Sequence, residues 1–285
     1  MSRVTTRRKA VLVRAGEGSK PKRETLAGEE PLEIRVNGKP LAVTMRTPGH
    51  DFDLVAGNLV SEGFLGGQQD LATMRYCAGK NEEGEQTFNV IDAAVIGLNP
   101  ASISERRVVT TSACGVCGTT SIDEVTRQSR FGAHPTDTRI QADILLDLPD
   151  RLREAQKLFD TTGGLHAAGL FTTDGELLCA REDVGRHNAV DKVIGWALRE
   201  GKLPLRGTVM QVSGRASFEL VQKCHLAGIP IMSAVSAPSS LAADLADEVG
   251  ITLAGFSRGD RITLYTHPDR VEVVEDFVTE GASTS

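Results

Sequence analysis

The chain has 285 residues, of which 40% are hydrophobic and only 4% aromatic. That suits one large domain or two small ones with an aliphatic core, and it excludes a disordered chain. The formal net charge of −6 excludes a global attraction to nucleic acid or an anionic membrane, while leaving room for a local basic pocket. The five cysteines, Cys77, Cys114, Cys117, Cys179 and Cys224, are too scattered for a secreted disulfide framework. Arg3, Arg7, Arg8 and Lys9 precede no signal-peptide core, and no apolar run approaches the length of a membrane span. A cytoplasmic protein in a reducing compartment is expected.

In chain order, residues 1–28 are polar and mixed in charge and read as a flexible arm. Leu32 to Val36 alternates, Asn37-Gly38 makes a tight turn, and Leu41 to Met45 alternates again, which predicts a β-hairpin. Helical spacing through Phe52, Leu54, Val55, Leu59 and Val60 predicts a helix over 51–62, and a strand follows near 88–95. Residues 29–109 therefore read as a smaller β-rich part, and 110–125 as a mobile loop. From 126 to 280 strands and helices alternate. Helices are predicted at 142–160, 189–200, 218–227 and 241–249, and strands at 168–171, 177–180, 209–212, 229–235, 252–256 and 261–265. This is an α/β layer with helices covering a sheet.

The most informative segment is Thr111-Ser112-Ala113-Cys114-Gly115-Val116-Cys117-Gly118-Thr119-Thr120-Ser121. Two thiols with two residues between them are surrounded by Gly, Ala, Ser and Thr, with nothing large and apolar to bury them. Such a pair serves zinc, redox or sulfur chemistry. No second close Cys or His pair completes a structural zinc site, and Gly118-Thr119-Thr120-Ser121 is a poor start for the helix of a thioredoxin-like couple. Cys179 and Cys224 sit at apolar positions of a strand and a helix and read as core, and Cys77 has no informative neighbours.

Four further segments could carry chemistry. Arg181-Glu182-Asp183-Val184-Gly185-Arg186-His187-Asn188, with Asp191 and Lys192, stands between a strand and a helix. Asp183 and Asn188 could cap that helix, or Arg186 and His187 could hold phosphate or move a proton. His166 follows a helix C-cap and is either a satisfied histidine or a site residue. Ser213-Gly214-Arg215-Ala216-Ser217 follows a strand and opens a helix, where backbone N–H groups and an arginine suit an anion, although no Walker motif is present. Phe256-Ser257-Arg258-Gly259-Asp260-Arg261 is a charged hairpin tip or a clamp for a phosphate and a purine.

Together with Arg46-Thr47-Pro48-Gly49-His50-Asp51 and residues 233–241, these segments in this order resemble the formate dehydrogenase accessory sulfurtransferases, the FdhD family, from about Glu30 to about Thr266. The resemblance implies a cytidine-deaminase-like α/β fold, a homodimer, and a sulfur carrier. A cysteine desulfurase would load a persulfide that passes to the molybdenum or tungsten of a bis(molybdopterin guanine dinucleotide) cofactor bound for the formate dehydrogenase catalytic subunit. Cys114 matches the family's persulfide cysteine and Cys117 its companion, while Phe256, Ser257, Arg258, Gly259, Asp260 and Arg261 match its cofactor-binding segment. No resident metal is expected. As a hypothesis, Cys117 supplies the electrons that release sulfide, by thiol–disulfide exchange. Two other readings stand beside it. One is a non-catalytic chaperone that holds the cofactor. The other is a zinc deaminase, which the residues after His166 argue against, since Ala167 and Ala168 stand where that chemistry needs a glutamate.

Overall fold

The computed structural model describes residues 3–77, 79, 86–98, 129–132 and 137–273. Strands β1 (Thr5–Arg14) and β2 (Gly18–Ala27) form a two-stranded antiparallel hairpin. The segment expected to be a loose arm is therefore ordered as a ribbon. Its turn uses Gly16 and Gly18, both with φ near 80°, a geometry that glycine adopts without steric cost. The polar composition misled because a ribbon with two open faces needs no apolar face.

Strands β3 (Glu30–Val36) and β4 (Lys39–Arg46) are the predicted hairpin, turning at Asn37 (φ 50°) and Gly38 (φ 79°). Helix α1 (Asp51–Ser61) follows, then a short 3-10 turn and strands β5 (Leu71–Tyr76) and β6 (Val90–Val95). They complete a four-stranded sheet in the order β4-β3-β6-β5. Strand β5 was not foreseen in the sequence. It is an edge strand with several exposed residues and lacks strict alternation.

The short strand β7 (Ile140–Gln141) leads into α2 (Ala142–Ala155) and α3 (Lys157–Thr162). The one helix expected over 142–160 is thus two. The break at Gln156 is held from elsewhere in the chain: the Glu182 carboxylate accepts the N–H groups of Leu158 (2.9 Å) and Phe159 (2.7 Å), capping the new helix. Next come β8 (His166–Thr172), β9 (Leu177–Asp183), α4 (Arg186–Arg199), β10 (Thr208–Val212), α5 (Phe218–Ala227), β11 (Ile231–Ala234), α6 (Ser240–Val249), β12 (Thr252–Arg258), β13 (Arg261–Thr266) and, after a 3-10 turn, β14 (Val271–Glu272) beside β7. The larger sheet has the order β13-β12-β11-β10-β8-β9, with β10, β11 and β12 parallel and the other pairs antiparallel.

Every residue of β10 and β11 is buried, as expected of parallel strands covered on both faces. On one face Leu145, Leu148 and Leu152 of α2 meet Phe171, Val209, Ile231 and Ala254. On the other lies a helical layer, with α1 and α4 also covered by the inner face of the small sheet through Leu32, Ile34, Ile91 and Ala93. One continuous core therefore runs from the N-terminal sheet into the larger one. α1 and α4 touch backbone to backbone. A Cβ on Gly57 would lie 1.8 Å from the Asp191 carbonyl oxygen, and one on Gly195 would lie 1.8 Å from that of Asp53. Only glycine permits that approach. No helix among the described residues is long and apolar enough to cross a membrane.

Candidate functional site

The topology brings four segments to one edge of the large sheet. The C-terminal ends of β9, β10, β11 and β12 lie together there, beside His166 at the start of β8. Backbone hydrogen bonds knit the loops that follow. Ser213 N donates to Ala167 O (3.0 Å), Ser236 N to Gly214 O (3.3 Å), Ser239 N to Ala216 O (3.0 Å) and Phe256 N to Ser236 O (3.2 Å). β9, β10 and β11 each lead into a helix here, while β12 turns back into β13; the carboxyl ends of such strands form the usual ligand crevice of an open α/β sheet. Four of the segments singled out in the sequence meet here: His166, Asp183 to His187, Ser213 to Ser217, and Phe256 to Arg261.

This edge is cationic. Burial first, then the charges of Arg186 and His187, pull the His166 pKa below its ordinary value. The His187 Nε2 lies 3.3 Å from Ser217 Oγ and 3.8 Å from a Glu219 carboxylate oxygen. Contact with His187, helped by the Glu219 backbone and Ser217 donors and opposed by burial, holds the Glu219 carboxyl down at about 2. The Arg186 Nε is buried with no partner among the described residues, and so are Ser257 Oγ, Ser233 Oγ and Gln211 Oε1. Unsatisfied buried polar atoms are uncommon in folded proteins. Ser257 lies near the end of β12, and Ser233, beside Gln211 in register, lies near the end of β11.

The β12–β13 tip projects from this edge. Phe256 adopts φ 51° and Gly259 φ 61°. Ser257 is buried, whereas Arg258, Gly259, Asp260 and Arg261 are exposed. Arg258 and Arg261 face each other across the hairpin. Two like charges in register repel, and an anion between the guanidinium groups would relieve that repulsion. Cys114 and Cys117 lie outside the described residues. Burial pushes the thiols of Cys179 and Cys224 up to about 12, which suits inert core residues. Cys77 is half-buried.

Most of the Arg181–Lys192 segment has a different role from the one its polarity suggested. Asp183 and Lys192 are fully buried and paired at 2.7 Å. Asp183 also accepts from the Thr47 N–H (3.1 Å), the Gly185 N–H (2.8 Å) and the Asn188 amide (3.1 Å), while Lys192 donates to Thr47 O (2.9 Å). Arg46 makes a double contact with Asp51 at 3.1 and 2.9 Å, and Asp51 also accepts from Tyr76 OH. Asp53 takes both Arg181 and Arg199. Residues 46–53 and 181–192 are thus one buried ionic junction. Of the polar run, Arg186 and His187 act on His166, and His187 also approaches Ser217 and Glu219. In the sequence the junction signalled itself as two polar segments far apart, with no indication that they pair. A cleft of about 220 Å³ borders it, lined by Pro48, Gly49, His50, Lys157, Arg181 and Glu182 among others. Burial, then Arg181, lowers the His50 pKa.

Residues 27–272 match the family model described as the FdhD/NarQ family. The chain belongs to the FdhD/NarQ family. A protein named sulfur carrier protein FdhD from Nocardia farcinica is 55% identical over 95% of this chain and 96% of its own length. One of the same name from Streptomyces coelicolor is 57% identical over 95% and 97%. A solved structure from Desulfotalea psychrophila, described as a candidate formate dehydrogenase accessory protein, aligns with TM-score 0.73 and 25% identity, covering 95% of this chain and 100% of that one. The FdhD/NarQ match takes in both the ionic junction and the cationic sheet edge, and it leaves out nearly all of the β1–β2 ribbon.

Proposed function

We propose that this protein is a sulfur carrier that serves formate dehydrogenase. The observation that carries the reading is identity of 55–57% across almost the whole chain to proteins named sulfur carrier protein FdhD. In this reading a cysteine desulfurase in the cytoplasm loads a persulfide on Cys114. The Cys117 thiolate then attacks the inner sulfur. The bond to the outer sulfur breaks, a Cys114–Cys117 disulfide forms, and the outer sulfur leaves as hydrosulfide. The two thiols supply the two electrons, and a dithiol reductant restores them. The recipient is the metal of a bis(molybdopterin guanine dinucleotide) cofactor, held as substrate and passed to the formate dehydrogenase catalytic subunit. The cationic sheet edge, with the exposed Arg258 and Arg261, supports an anionic dinucleotide as that substrate. The six-stranded sheet covered by helices on both faces supports a likeness to cytidine deaminases at the level of fold.

The test is mass spectrometry after incubation with a cysteine desulfurase and cysteine. One added sulfur atom is expected on the peptide containing Cys114, and none in Cys114→Ala. Cys114→Ala should also abolish support of formate dehydrogenase in a complementation assay. Full support by this variant would overturn the carrier reading and leave a chaperone that only holds the cofactor.

A further inference from the structure

The cleft beside the ionic junction has no part in the proposed sulfur chemistry. It borders β9, the strand at one end of the large sheet, through Ala180, Arg181 and Glu182. The 48–50 loop lines it as well, and so does the break between α2 and α3 at Gln156. Four strand spacings, ~19 Å, separate β9 from β12, so the cleft is not an extension of the Arg258–Arg261 tip. Its volume of about 220 Å³ falls below the ~300–1,000 Å³ of pockets that take drug-sized ligands. The occupant is therefore small.

The hydrogen-bonding capacity left over in the cleft identifies the head of that occupant. Arg181 is matched by Asp53, and Lys192 by Asp183. Lys192 also donates to the carbonyl oxygens of Thr47 and Glu182. Both oxygens of the Glu182 carboxylate already accept, from the N–H groups of Leu158 and Phe159. Two side chains remain. No partner is seen for the Lys157 ammonium among the described residues. Gln156 is only 5% exposed, yet no hydrogen bond is seen for its side-chain amide among the described residues. Polar groups buried to this degree are normally hydrogen-bonded, and leaving one unpaired is costly. An ammonium beside an amide N–H matches an oxyanion, and the charge on both sides strengthens the contact.

The rest of the lining describes the body. Pro48, Ala155, Leu158, Ala167 and Ala180 make much of it apolar, which suits a short carbon chain better than a bare inorganic ion. His50 lines the same cleft and is held at φ 55°, an uncommon conformation for a residue with a side chain and one that clusters at ligand clamps.

We infer that this cleft is a binding site for a small carboxylate, its head on the Lys157 ammonium and the Gln156 amide and its carbon body against the apolar lining. The inference is independent of the sulfur carrier reading.

The test is NMR of the isotopically labelled full chain, titrated at constant ionic strength with formate, acetate, propionate and butyrate, and separately with inorganic phosphate. The amide resonances of Gly49, His50 and Lys157 should shift together with each carboxylate. Affinity should rise from formate to butyrate by up to ~4-fold for each methylene buried. Lys157→Gln should weaken butyrate binding ~10-fold or more, and Gln156→Leu, which keeps the side-chain volume, should weaken it several-fold. Lys157 is exposed, and unchanged resonances elsewhere in the spectrum check that both variants fold. No shift at these amides with any carboxylate would overturn the inference. So would an affinity that stays flat along the series, or binding by phosphate alone, either of which describes an ion drawn to a surface lysine. Butyrate binding that survives both substitutions unchanged would overturn it as well.

Discussion

The same residue types do opposite work in two regions of this molecule. At the junction of 46–53 with 181–192, arginine, lysine and aspartate are buried and meet each other in full. At the β12–β13 tip, Arg258, Asp260 and Arg261 are exposed, and no partner is seen for them among the described residues. A buried charge that loses its partner is costly, whereas an exposed one contributes little to stability and is free to meet a ligand. The junction is therefore structural support, and on the proposed function the tip is a surface for recognition.

Breaking the junction should produce the largest effect. Lys192→Ala leaves Asp183 buried with its main counter-charge gone, and it should cost about 3–5 kcal/mol in urea denaturation. The volume-matched pair Asp183→Leu with Lys192→Met should cost less, because no lone charge remains. If the single substitution is as mild as a surface change, the distinction between the two regions fails.

The tip should behave in reverse. Arg258→Ala with Arg261→Ala should move stability by no more than about 0.5 kcal/mol. On the proposed function, it should weaken binding of a guanine nucleotide by about 1.5–3 kcal/mol for each charge-assisted hydrogen bond removed. Calorimetry reads the second effect and denaturation the first. Unchanged affinity would remove the tip from the site.

The smallest effect is one of pH and sharpens the boundary between the regions. Glu219 lies at the sheet edge, half-buried, with its carboxyl held at about 2 against an ordinary 4.5. A depressed carboxyl stabilises the fold above its unfolded pKa, and that contribution fades as pH falls from about 4.5 toward 2. Wild type should exceed Glu219→Gln by about 1–2 kcal/mol near neutrality, after allowance for solvent screening, and the gap should close in acid. A gap as large at pH ~2.5 as near neutrality would mean that the His187 contact is not its source.

Much of the fold was legible in the sequence. The alternation of Leu32, Ile34 and Val36, the Asn37-Gly38 turn and the strand–helix rhythm after residue 166 are local patterns, and the structure has them within a few residues. What escaped depends on contacts across the chain. The split between α2 and α3 is stabilised by Glu182, about 24 residues away. The ribbon looked like an arm because neither face is apolar enough to announce a core. At the site, the segments of the sheet edge were recognisable one by one, two as strand-to-helix turns, one as a hairpin tip and His166 after a helix C-cap, but their convergence follows from strand order, which one-dimensional spacing does not contain. The polar run at 181–192 misled because polarity is the same whether a charge faces water or another buried charge.

The glycine contact between α1 and α4 also bears on how the chain is made. Gly57 and Gly195 stand almost 140 residues apart, and synthesis runs at roughly 5–20 residues per second. For on the order of ten seconds, then, α1 and the small sheet exist without the helix that completes their packing. Over that interval Leu32, Ile34, Ile91 and Ala93 must share a half-finished core. A ribosome that stalls before residue 186 leaves a fragment with an uncovered apolar sheet, a natural substrate for holding chaperones and proteases.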